Sequence, residues 1–98
     1  MGEWKKLGEF EGEVVVWENE GQQVEGILRS KRSEVGKHGS NLYTIETTDG
    51  VKNIWGTAIL DRLMEEAEVD QMIRITYNGE IQTKDGRLAK DFDVEVKE

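Results

Sequence analysis

Along most of this chain apolar and polar positions alternate, and in one segment the period lengthens to that of a helix. Val14–Trp17 is a short β-branched run, and Val24–Val35, "VEGILRSKRSEV", is a long one. Leu42–Thr48 and Val51–Trp55 flank Asp49-Gly50 and read as a hairpin. In Met72–Tyr77 the apolar Ile73, Ile75 and Tyr77 share a face. In Leu88–Val96, Phe92, Val94 and Val96 face one way, and Asp91, Asp93 and Glu95 the other. Proline is absent, so glycine punctuates the chain. Asp49-Gly50, Asn78-Gly79 and Asp85-Gly86 carry the residue types that tight turns need, and Gly36 and Gly39 bracket a further loop.

The exception is "TAILDRLMEEAEV". There Ile59, Leu60, Leu63, Met64 and Ala67 form one apolar stripe, which predicts a helix over Thr57–Ala67 with Thr57 as its N-cap and Ile59, Leu60, Leu63 and Met64 buried. The order is therefore three strands, a helix and two strands, preceded by an extra strand. That order predicts an all-β protein with one short helix: an OB-fold, a five-stranded Greek-key barrel with its helix between the third and fourth strands. Gly26 breaks the long strand where an OB-fold bends its first strand, and Gly79 offers a similar bend later. Hairpin–helix–hairpin order also suits a β-grasp or another small α+β sheet. One domain over residues 1–98 is expected, with an N-terminal extension and strand over 1–21 and the barrel over 22–97.

Composition narrows the function. No apolar run approaches the roughly 20 residues of a membrane helix. The N-terminal "MGEWKKLGEFEGE" lacks the apolar core of a secretory signal, and there is no cysteine, so a cytoplasmic location is expected. One histidine and no cysteine leave no zinc ligand set of usual spacing, and no EF-hand loop occurs. No cofactor and no catalysis are expected. The helix acids Asp61, Glu65, Glu66 and Glu68 read as a solvated face, and Asp91, Asp93 and Glu95 as the polar side of a strand. "GKHG" at Gly36–Gly39 matches the GXXG loop of KH domains, but it joins two strands rather than two helices. His38, in that loop, has no expected carboxylate partner for general-base work.

A net charge of −8 argues against nucleic acid, yet the charge is uneven. Residues 29–56 hold five bases against three acids, and the segments on either side are strongly acidic. On an OB plan, single strands lie across the second and third strands, between the first and last hairpin loops. Lys37 and His38 fall on the first of these loops. Arg29 and Lys31 share a face of the long strand, with Arg32 on the other. Tyr43, Lys52 and Trp55 lie on the next two strands, and Lys84, Arg87 and Lys90 at and beyond the last turn. Converging bases with a stacking aromatic are what sequence-tolerant single-strand binding requires. Tyr43 has the parity of Ile45 and can instead belong to the core. Trp55 is the better stacking candidate, because Ile54 points the opposite way. Trp4 and Trp17 read as packing residues.

The stretches "VEGIL", "TDG" with "IWGTAIL", "IRITYNGE", "KDGR" and "KDFDVEV" resemble small bacteriophage OB-fold proteins regarded as single-stranded-DNA-binding proteins. The resemblance covers Gln22 to Val96. It implies an OB barrel, coating of single-stranded DNA (or RNA) by an oligomer, and a role in phage replication or recombination, in the host cytoplasm. The Val14–Trp17 run lies outside the five barrel strands, so it is expected to pair either back on the long first strand or across to a second subunit as a homo-oligomer contact. The rival reading is an OB module that binds protein through its acidic exterior.

Overall fold

The computed structural model describes residues 12–97, and Trp4 lies outside them. Six strands and one helix follow in order: β1 (Glu13–Val14), β2 (Gln23–Val35), β3 (Ser40–Thr47), β4 (Gly50–Trp55), α1 (Ala58–Met64), β5 (Met72–Gln82) and β6 (Leu88–Val96). They form one mixed sheet in the order β1-β4-β3-β2-β5-β6. The long β2 is shared between the two hairpins. Its first half pairs antiparallel with β5 and its second half with β3, the two overlapping at Ile27. Gly26 lies where the strand passes from one partner to the other, and a Cβ there would collide with the Glu46 carbonyl of β3. The glycine is thus required by the close approach of β3 at the point where the strand changes partner.

The sheet does not close into a barrel. Its order runs open from β1 to β6, and β4 pairs with β1 rather than with β6. The expected N-terminal strand thus finds its edge within the chain. Glu13 and Val14 lie parallel to Lys52 and Asn53, and Val15 N–H donates to the Asn53 carbonyl at 2.8 Å. This ladder is made in cis, on β4 rather than on the long strand β2. Two residues further on, Trp17 packs against Tyr77 of β5 and Phe92 of β6, with ring centroids 5.8 and 5.3 Å away. The segment therefore spans from the β4 edge to the apolar face of the β5–β6 hairpin. Gln22 holds its turn, donating to the Val16 carbonyl and accepting from the Glu18 and Asn19 amides.

The core lies on one face of the coiled sheet. It gathers Val24, Leu28, Tyr43, Ile45, Ile54, Ile73, Ile75, Tyr77 and Phe92 from the strands, and Leu60 and Met64 from α1. α1 is shorter than its apolar stripe. Thr57 caps it, its Oγ accepting from Leu60 N–H at 3.4 Å, and the helix ends at Met64. The next amides turn back three residues instead of four, Glu66 to the Leu63 carbonyl and Ala67 to that of Met64. Leu60 and Met64 are fully buried, as expected, whereas Ile59 and Leu63 are only half-buried. Asn78-Gly79 is not a turn. It lies inside β5, where the register with β6 shifts between Tyr77 and Glu80, and Gly79 supplies the positive φ of 88°.

Candidate nucleic-acid interface

Which way each base points is set by two irregularities in β2. Leu28 pairs with Ile45 and Ser30 with Thr44, so one extra residue, Arg29, is inserted between them. A second shift follows between Arg32 and Val35, with Glu34 at a φ of 55°. A bulge changes the parity of everything after it. The expectation that Arg29 and Lys31 share a face, opposite Arg32, is therefore overturned. Lys31 stands opposite the buried Tyr43 on the core face, and Arg32 opposite Leu42 on the outer one.

Most of the expected phosphate contacts are engaged within the chain. Arg29 Nε donates to Glu46 at 2.7 Å and its Nη1 to Asp70 at 3.2 Å. The Glu46 hydrogen bond is the chief cause that raises the guanidinium pKa. Lys31 Nζ donates to the carbonyls of Met64 and Ala67, at 2.9 and 2.8 Å. It brings a cation to the helix C-terminus, whose carbonyls lack intrahelical donors. Lys52 stands opposite Ile45, on the face away from Trp55, and its Nζ donates to Glu13 at 2.6 Å. That bond holds the Glu13 carboxyl below its usual range. Tyr43 is a core residue, 3% exposed, and donates its hydroxyl to Asp61 at 2.6 Å. Burial, then the Asp61 carboxylate, pushes its pKa up. Tyr43 thus offers no ring to a base.

The outer face carries a different set, in which Arg32 and Trp55 also have partners. Arg32 pairs with Leu42, and Leu42 with Trp55, so the three side chains form one row across β2, β3 and β4. The Trp55 indole is half-buried and lies beside the hairpin tip, where a Cβ on Gly36 would come within 3.4 Å of it. Lys37 and His38 occupy that tip, exposed, and make no hydrogen bond or ion pair with any described residue. Thr44 and Asn53 form the next row below, Thr44 donating to Asn53 at 2.8 Å.

Lys84, Arg87 and Lys90 do not join this group. The antiparallel register of β2 with β5 (Gln23 opposite Thr76, Ile27 opposite Met72) directs the two hairpins away from one another. Lys84 and Arg87 lie at the far tip, Arg87 3.5 Å from Asp85, and Lys90 stands opposite Glu80 on β6. Among the described residues no group of three or more histidine, cysteine, aspartate or glutamate side chains could hold a metal ion, and no helix is long and apolar enough to cross a membrane. The chain matches no protein-family model, no curated protein and no solved structure.

Proposed function

We propose that the protein binds single-stranded nucleic acid, DNA in the first place, without catalysis and with little base preference, across the outer face of β2, β3 and β4. The observation that carries this reading is the half-buried Trp55 indole next to the exposed hairpin tip that bears Lys37 and His38. An indole at a strand end gives a base a stacking surface, and the exposed Lys37 of the neighbouring tip offers a charge to the phosphate backbone. A strand order with β2 shared by both hairpins and α1 between β4 and β5 supports the OB reading, with the segment Glu13–Trp17 lying where the barrel would otherwise close. The resemblance to phage single-strand binders points the same way, toward replication or recombination.

The salt dependence of binding to labelled oligo-dT tests the proposal. Two lysine or arginine contacts, Arg32 and Lys37, give a log–log slope of about −1.4, at roughly −0.7 per phosphate neutralised. Trp55→Ala costs about 1–3 kcal/mol of binding with little change in slope. An affinity indifferent to salt and to Trp55→Ala refutes the proposal.

A further inference from the structure

Two side chains are buried on the face away from the core. Leu42 and Asn53 stand in adjoining rows of the outer face, Leu42 between Arg32 and Trp55, and Asn53 between Thr44 and Val14. Leu42 is 0% exposed and Asn53 1%, yet Leu42 does not belong to the core cluster. Their neighbours in the same rows reach water: Trp55 and Thr44 are half-buried, and Arg32 and Val14 are exposed. Neighbours that are themselves wet do not seal the middle of a row. Something therefore crosses the face above Leu42 and Asn53.

The burial is that of a single chain, so the cover belongs to the chain itself. α1 and Trp17 pack against the core cluster, on the opposite face. Gln22 holds the turn that follows Trp17, and the β5–β6 hairpin runs the other way. The residues before Gly12 remain. At Gly12 the chain has a φ of 82° and lies so close to β4 that a Cβ would strike the carbonyl and the Cβ of Val51. Val51 stands opposite Glu46, on the outer face, so the chain comes onto the β4 edge against that side. Eleven residues precede Gly12. At about 3.3 Å each they reach roughly 36 Å, against roughly 13 Å from Val51 to Trp55 along β4. Their sequence, "MGEWKKLGEFE", has Trp4, Leu7 and Phe10 to set on Leu42, and Glu3, Glu9 and Glu11 to set near Arg32. Arg32, Asn53 and Trp55, the residues of this patch, all have interaction partners.

We infer that residues 1–11 fold back over the outer face of β3 and β4 and cover Leu42 and Asn53 beside the Trp55 indole. The occupant is argued from burial, and only its consequence for binding rests on the single-strand reading. A nucleic-acid strand that needs this face must displace the segment. It then binds only the uncovered fraction of molecules, and its apparent affinity falls by that fraction.

The chain has no cysteine, so the full chain with Gly2→Cys takes one nitroxide label. The expected result is loss, by paramagnetic broadening, of the Leu42 and Asn53 amide signals and the Trp55 indole signal, with those of Arg74 and Glu95 retained. Trp4→Ser with Leu7→Ser in the labelled chain should restore the lost signals. Leu42 and Asn53 signals that never broaden, or that stay broadened in the double variant, would overturn the inference. So would broadening that passes from labelled to unlabelled copies in a mixture, because the cover would then come from a second chain. Oligo-dT should also restore the signals, and oligo-dT that binds while they stay broadened would overturn the competition. If the signals broaden as expected but oligo-dT does not bind, the cover stands and the single-strand reading fails.

Discussion

The two wings of the sheet share β2 and differ in the rows on their outer faces. On the wing built with β3 and β4, the outer row reads Arg32, Leu42, Trp55; on the wing built with β5 and β6, it reads Glu25, Arg74, Glu95. The first row holds a cation and an aromatic ring, and the second ends on an acid. The bulge at Arg29 lies between them. Before it, β2 turns Glu25 and Ile27 outward; after it, Arg32 faces out and Lys31 faces in. A net charge of −8 thus hides an uneven placement of charge along one strand. Total charge governs long-range attraction, whereas the groups within a few ångströms decide what a face can hold.

Breaking the shared strand should abolish both wings at once. Leu28 is fully buried on β2, next to the bulge, so Leu28→Ala should cost about 2–5 kcal/mol in urea unfolding. Amide shifts changed on one wing alone, with stability intact, would show that the wings do not depend on a common core. Next in size comes Lys31→Met, which removes the donor from the Met64 and Ala67 carbonyls. It should cost about 1–3 kcal/mol, the usual penalty for stranded polar groups. A smaller effect, about 0.5–1.5 kcal/mol, is expected for Tyr43→Phe, which loses one hydrogen bond to Asp61. The same residue sets an alkaline limit. Its folded pKa is raised by burial and then by Asp61, so its contribution is complete below about pH 10 and is lost as pH rises above that. Tyr43→Phe should therefore flatten stability against pH in that window alone. Smallest is Arg29→Met, which should leave the urea midpoint almost unchanged, because its ion pairs are exposed and screened. Arg29 and Lys31 are two residues apart, and the bulge alone makes their predicted costs differ.

Much of the fold was legible because apolar side chains mark their own face. The alternation in Met72–Tyr77 and Leu88–Val96, the Asp49-Gly50 hairpin and the Thr57 cap all appear where the pattern put them. "RSKRSE" carries no apolar residue after Leu28, so nothing in it marks which side is in, and neither register shift could be read there. Asn78-Gly79 was misleading for a related reason: a glycine at positive φ serves a bulge as well as a turn. The parallel pairing of β1 with β4 depends on two residues meeting a distant edge, which no local pattern encodes. The face on which Trp55 lies was legible from its parity against Ile54. Lys31 was not, because its partners are helix-end carbonyls more than thirty residues away in sequence.

The single-strand reading is tested most directly by backbone and indole NMR shifts of the full chain during titration with oligo-dT. The account predicts the largest shifts at Arg32, Leu42, the Trp55 indole and Gly36–Gly39, with Glu25, Arg74 and Asp93 unmoved. Shifts centred on Lys84–Arg87 and β6, or none at saturating oligonucleotide, would contradict it.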